Sequence, residues 1–347
     1  MPLPGDATGG KRPVGAGRRR RQGTGRGAEV RAPPPRPGRS GGGHGRGGGG
    51  GGGRGARWGP GGAAARRARF ERDGYLALPG FAAPGAVAAL RRRAGELVAG
   101  FEPGPSHEVF STGPAQQKAA GGYFLESASR VSFFLEEGAV GPSGELLRGK
   151  GQSVNKIGHA LHDLDPAFRA FSRSAAVAGL LAELGFERPV PVQSMYIFKQ
   201  PKIGGRVVPH QDSTFLWTDP PSVVGLWWAL EDAHRGNGCL WALPGSHREP
   251  VARRMVRDEA GQGGVSFRGE DPPWDLEAAV PLEVEAGTLV VLHGQLVHFS
   301  HQNTSPASRH AYTMHVVEGG AGTTWSPENW LQRPADLPLE PLLRPAG

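Results

Sequence analysis

From residue 188 the chain breaks into short apolar runs divided by Gly, Pro and Asn, and that rhythm limits the folds open to it. "PVPVQSMYIFKQP", "VVPHQDSTFLW", "SVVGLWWALED", "GCLWALPGSH", "AVPLEVEAGTLVVLHG", "QLVHFSHQN" and "RHAYTMHVVE" follow one another with turn residues between them. Many short strands at this spacing predict an antiparallel sandwich or barrel. Upstream the texture is helical. "ARFERDGYLALPGFA" predicts a short helix, then a strand with a turn at Pro79-Gly80. "APGAVAALRRRAGELVAGF" has a helical period that puts Val87, Leu90, Ala94, Leu97 and Val98 on one face. Residues 103–122 read as a loop. "RVSFFLEEGAV" and "GELL" predict a hairpin around Gly141-Pro142-Ser143-Gly144. "DPAFRAFSRSAAVAGLLAELG" predicts one long helix, with Asp165 as its cap, Pro166 in its first turn and Gly185 as its stop. The fold class expected is mainly β with flanking helices: a helical N-terminal layer on a double-stranded β-helix (jelly-roll) core, forming one domain over residues 63–347.

Charge has to be divided by position before it says anything. Residues 1–62 hold 13 Lys/Arg and two acids, an excess of 11 positive charges. The other 285 residues hold 27 bases and 30 acids, so the net +8 belongs to the tail and the body is mildly acidic. The basic balance therefore gives no support to a nucleic-acid-binding enzyme. The tail is Gly, Arg, Pro and Ala with little to bury, so it is expected to be disordered. An Arg/Gly nucleic-acid-binding tail, an Arg-rich transit segment, an inert linker and an over-extended reading frame all fit such a composition. Cys239 is the one cysteine, which excludes an intramolecular disulfide and fits a reducing compartment. No apolar run approaches the 18 or so residues of a membrane span. Neither a secretory leader after Met1 nor a peroxisomal address at "LLRPAG" is recognisable. A cytoplasmic monomer is expected.

The chemistry centres on "VVPHQDSTFLW". A strand has a side-chain period of two, so His210 and Asp212 would project from one face. Gln193, Met195, Ile197 and Lys199 would form a neighbouring face. Alone, a His-x-Asp pair says little. A second histidine, His298, follows 86 residues after Asp212, and a closed jelly roll can bring the two segments together. Two imidazoles and one carboxylate make the facial ligand set of non-haem Fe(II) oxygenases. Arg309 lies 11 residues beyond His298, on the next predicted strand, where its fork could hold a dicarboxylate. Lys156, Met195 and Trp227 are further candidates for a pocket lining. His301 competes with His298, although its offset of three sends it to the opposite face of a regular strand. His293 and His315 read as structural or supporting, with His315 on the same strand face as Arg309. His247 reads as a loop-ordering residue, and His159 and His162 as core or solvent groups.

The motifs "FERDGYLALPGF", "NKIGHALH", "VQSMYIFKQP", "PHQDSTFL", "NGCLWALPGSH", "HGQLVHFSHQN", "SRHAYT" and "GTTWSPENWLQ" give the chain a family resemblance. From about Phe70 to near the C-terminus it resembles the phytanoyl-CoA hydroxylase family of Fe(II)/2-oxoglutarate dioxygenases. The resemblance implies that His210, Asp212 and His298 hold iron, His298 being preferred to His301 by the family's register. It implies that Arg309 pairs with the distal carboxylate of 2-oxoglutarate, and that Lys156, Met195 and Trp227 line the co-substrate pocket. Asp212 argues against the related halogenases, which lack the carboxylate. The cofactors implied are Fe(II), 2-oxoglutarate and O2, with ascorbate as reductant in vitro. The reaction implied is hydroxylation of an unactivated C–H, with 2-oxoglutarate decarboxylated to succinate and CO2. The substrate would be a small molecule or an acyl group, acyl-CoA being the version the family name suggests. Nucleic acid would be reached only through the basic tail, and no membrane is implied. The alternative reading is a non-catalytic jelly roll that binds metal and 2-oxoglutarate as a sensor or scaffold.

Overall fold

The computed structural model describes residues 62–103, 109–110, 121–258, 264–320 and 322–342, all within one compact unit, Arg54–Gly347. Apart from Gly62, the expected disordered tail lies outside these residues, as does most of the expected loop at 103–122. The chain opens with α1 (Ala63–Asp73), β1 (Tyr75–Leu78), α2 (Pro84–Gly100) and β2 (Val109–Phe110). Next come α3 (Gly122–Glu126), β3 (Val131–Glu136), α4 (Lys150–Ser153) and β4 (Val154–His159). Helices α5 (Leu161–Leu164), α6 (Pro166–Ser172) and α7 (Ala175–Glu183) lead into β5 (Pro189–Ile197). Strands β6 (Val207–His210), β7 (Thr218–Asp219), β8 (Val224–Ala229), β9 (Leu240–Ala242), β10 (Arg254–Arg257) and β11 (Val265–Arg268) follow. The last are β12 (Val280–Leu282), β13 (Leu289–His293), β14 (His298–Ser300), β15 (Ala311–Glu318) and β16 (Thr324–Trp325).

Local chemistry sets the helix ends. α1 stops at Gly74, whose left-handed φ of 81° lets its N–H close on the Phe70 carbonyl at 2.8 Å. α2 starts on Pro84 and buries Val87, Leu90, Ala94 and Val98, with Leu97 packed at the margin. The Asp165 carboxylate caps α6 by accepting from the Ala167 and Phe168 N–H groups at 3.0 and 3.3 Å. The long helix expected from 166 to 184 is in fact two. Ser174 is extended between α6 and α7, and at the break Arg173 turns back to Asp163, with Nη2 at 2.9 Å from the carboxylate. The expected hairpin at 141–144 is a tight turn with a single bridge, Val140 to Leu146. The ladder partner of β3 is instead β4, a strand buried at every position, so that pairing covers far more apolar surface than the short "GELL" run with its exposed Leu147.

Two sheets make the jelly-roll core. The larger has the order β1-β13-β8-β15-β5-β4-β3-β2 and is antiparallel except at β2–β3. The smaller has the order β12-β9-β14-β6. Alternation along β5, β8 and β15 separates two faces of the larger sheet. Tyr196, Leu226, Trp228, Tyr312 and Met314 form one core cluster with Leu90 and Val98 of α2, Phe168 of α6 and Leu180 of α7. On the opposite face Trp227, Ala229 and Ala311 pack with Cys239, Leu240 and Ala242 at β9 of the smaller sheet. The functional candidates of the larger sheet lie on this inner face.

Candidate metal and co-substrate site

Strand β6 is the edge of the smaller sheet, where Pro209 removes no needed ladder donor. It ends at His210, and the chain turns into a 3-10 helix at Asp212–Thr214. The period of two expected for His210 and Asp212 therefore does not operate, because Asp212 has left the strand. The turn itself carries the carboxylate inward. It is tied down by the Ser213 N–H on Gly294 O at 2.8 Å and by Gln211 Nε2 on Gln295 O at 2.7 Å. The neighbouring runs "GTLVVLHG" and "QLVHFSHQN" go to different sheets. β13 closes in the larger sheet at His293, and β14 opens in the smaller sheet at His298. Gly294 makes the crossing, where a Cβ would come 2.5 Å from both Ser213 Oγ and Val223 O.

These turns bring the three expected ligands together. His298 is the cross-strand partner of His210, with ring centroids 4.3 Å apart. Both Nε2 atoms lie 3.6 Å from Asp212 Oδ1. One ligand atom from each residue falls within 4.8 Å of the others. His210 Nδ1 sits 2.8 Å from Val208 O, and His298 Nδ1 sits 3.0 Å from Leu296 O. A carbonyl only accepts, so each Nδ1 carries a hydrogen, which leaves each Nε2 as the ring atom able to serve a metal. Burial lowers His298 to about 4 against the opposing pull of Asp212. Burial pushes Asp212 upward, but His315 and His298 outweigh it and hold the carboxylate well below its usual range. Two imidazole nitrogens and one carboxylate oxygen fit a divalent first-row metal.

His315 belongs to this centre more closely than its sequence reading suggests. Its Nε2 is 3.2 Å from Asp212 Oδ2, the oxygen turned away from the other two imidazoles. The sequence signal was the same-face spacing from Arg309.

Arg309 lies just before β15 rather than on it, and is 2% exposed. Its Nε donates to Gly238 O at 3.2 Å, and the guanidinium carbon is 5.2 Å from the Trp227 ring centroid. Nη1 is buried with no hydrogen-bond partner among the described residues. Burial lowers its pKa to about 10, which still leaves it a cation near pH 7. Met195 faces Thr313, which in turn faces Trp227, and Lys156 faces Ile197 in the next row. Lys156, Met195 and Trp227 therefore share the inner face. The Lys156 Nζ lies 5.0 Å from the Phe134 ring centroid.

The remaining histidines are held elsewhere. His301 is exposed and packs edge-on to Trp241 and Phe299. His293 Nδ1 accepts from Gln295 N at 3.1 Å, and His247 Nε2 contacts Glu71 O at 3.1 Å. His159 and His162 are buried against Ser127 Oγ and Ser194 Oγ at 2.7 and 2.8 Å.

Comparison with known proteins agrees with this fold. The solved epimerase SnoN, in complex with Fe3+, alpha ketoglutarate and nogalamycin RO, superposes with a TM-score of 0.54 at 18% identity. The match covers 81% of this chain and 93% of that one, and shows a shared fold. Phytanoyl-CoA dioxygenase 1 of Oryza sativa subsp. japonica is 52% identical over 273 residues, covering 79% of this chain and 94% of that protein. Phytanoyl-CoA dioxygenase domain-containing protein 1 of Mus musculus is 49% identical over 280 residues, covering 79% and 96%. Residues 70–311 match the family profile itself, and the chain belongs to the phytanoyl-CoA dioxygenase (PhyH) family.

Proposed function

We propose that the chain hydroxylates an unactivated C–H bond of a small-molecule substrate while 2-oxoglutarate is decarboxylated to succinate and CO2, with His210, Asp212 and His298 as the iron ligands. The class, an Fe(II)/2-oxoglutarate-dependent dioxygenase, follows from family membership. The observation that carries the residue assignment is the convergence of one ligand atom from each of His210, Asp212 and His298 within 4.8 Å. When bound there, iron supplies the redox chemistry with O2 that no side chain can provide.

The protein's own groups do the positioning. Val208 O and Leu296 O fix the imidazole tautomers through Nδ1. Arg309 takes the distal carboxylate of 2-oxoglutarate with the donor it does not spend internally, and Trp227 braces the guanidinium from below. Lys156 and Met195 line the same face as part of the co-substrate pocket. Phe215, edge-on to His210 at 5.7 Å, limits water on that side. An acyl-CoA substrate is the finer form of the proposal, supported by the names of the relatives. Among the described residues no helix is long and apolar enough to cross a membrane. A cytosolic site of action, a monomeric state and assignment of the chemistry to residues 63–347 complete the proposal.

Purified protein given Fe(II), 2-oxoglutarate, O2 and ascorbate is expected to release succinate slowly without added substrate. Asp212→Ala is expected to abolish that release. Equal release by both proteins would remove the ligand assignment. Binding of 2-oxoglutarate with no O2-dependent succinate would favour the sensor reading. A metabolite screen that includes acyl-CoAs, read by acceleration of succinate release, identifies the substrate.

A further inference from the structure

A glycine inside a central strand gives up packing and backbone order, and it marks places where another group comes close. Gly225 is such a residue. It lies on β8 between β13 and β15, directly opposite Leu292 and His315. A Cβ there would be 2.8 Å from Asp212 Oδ2 and 3.7 Å from His315 Cδ2. The Asp212 carboxylate thus rests on bare backbone of the larger sheet, although its own segment continues from β6 of the smaller one. His315 Nε2 approaches the same oxygen to 3.2 Å. An ionised carboxylate can only accept, so this nitrogen carries the hydrogen. The contact is one of charge and proximity, since Oδ2 is buried with no hydrogen-bond partner among the described residues. His315 also stands outside the group of ligand atoms lying within 4.8 Å of one another, so it is no fourth ligand.

We infer that Gly225 and His315 form a cradle that holds Asp212 Oδ2 against the larger sheet and presents Oδ1 alone to the metal, which makes His315 a positioning residue. The inference rests on the ligand assignment above. A carboxylate free to rotate about its Cβ–Cγ bond offers either oxygen, or both at once. The hollow at Gly225 fixes where Oδ2 can go, and the polar edge of the His315 ring, 3.2 Å away, favours the carboxylate oxygen there by electrostatic attraction. The two residues act from adjacent strands of a rigid sheet, so the aim of Oδ1 does not depend on the short turn that bears Asp212.

The test is Mn(II) titration of the full chain by calorimetry, with a melting curve for each variant. His315→Leu should loosen the Mn(II) Kd by about 10- to 100-fold, the usual effect of losing a group that orients a ligand. His315→Gln keeps an N–H donor and should restore most of the affinity. Gly225→Ala removes no polar group, yet should also weaken binding by displacing Oδ2. A wild-type Kd in His315→Leu, with binding lost in Asp212→Ala, would overturn the cradle and leave the ligand assignment standing. Wild-type binding in Asp212→Ala would overturn both. If His315→Gln proves as weak as His315→Leu, the side chain acts by filling space and the orienting role falls. Should His315→Leu fail to fold, a wild-type Kd in Gly225→Ala is enough to refute the cradle.

Discussion

Arg309 holds a positive charge with no carboxylate in ion-pair contact among the described residues, although Glu231 and Glu136 act on it from farther off. The guanidinium is buried, yet its neighbours are a neutral carbonyl, Gly238 O, and the face of Trp227. Among the described residues no carboxylate pairs with it, and Nη1 makes no hydrogen bond. Burying a cation this way costs several kcal/mol, which an incoming carboxylate offsets. Arg309→Leu is therefore expected to weaken 2-oxoglutarate by about 2 kcal/mol or more, roughly 30-fold in Kd, the scale for losing one partner of a buried pair. Mn(II) affinity should hold, and the melting temperature of the ligand-free protein should not fall. Titrations of both ligands and a melting curve check this. At this scale the sequence showed the charged and ligand-type residues well, because such side chains are conspicuous in apolar runs. It did not show Gly225 in "SVVGLWWALED", because a glycine whose role is an absent side chain leaves no mark in a pattern of side chains.

Helices α5 and α6 are joined by a group the fold needs whatever the site does. Asp163, 4% exposed in its side chain, lies 2.9 Å from both Arg173 Nη2 and Arg333 Nη2 and 3.1 Å from His162 Nε2. Burial pushes its carboxyl upward, but His162 and the two guanidinium groups prevail and hold it far below the usual range. Asp163→Asn leaves two partly or wholly buried cations short of an anion and should cost about 3–5 kcal/mol of stability. Because the folded pKa is depressed, the contribution is complete above the unfolded value near 4 and fades as pH falls toward the folded one. Urea unfolding of both proteins should show the full gap at pH 7 and a smaller one at pH 3. The same elements show where pattern reading stops. Arg173-Ser174 contains neither Gly nor Pro, so nothing local announces the break between α6 and α7. Strand β4 went unassigned because a stretch buried on both faces does not alternate.

The whole molecule divides the site between two sheets. Strands β6 and β14 of the smaller one, with the turn after β6, carry His210, Asp212 and His298, while the larger one supplies His315, Trp227, Met195 and Lys156. The turn rhythm was enough to predict a jelly roll, since it reports strand length and spacing. It could not say that the runs on either side of Gly294 join different sheets, because both are equally apolar. Removing residues 1–62 is expected to leave Mn(II) binding and succinate release intact and to abolish any salt-dependent RNA binding. Loss of metal binding on truncation would move the functional boundary into the tail. One feature has a practical bearing on any preparation of this enzyme. β14 spans three residues, and its pairing with β6 shifts register between His298 and Ser300. A strand this brief is kept in phase by very few ladder bonds, and a slip of one residue would swing His298 outward and bring Phe299 in. Such molecules would retain nearly all their secondary structure and yet, on the proposed ligand assignment, be unable to take up iron. Metal-to-protein stoichiometry, rather than a folding signal, is then the measure of how much of a sample is competent.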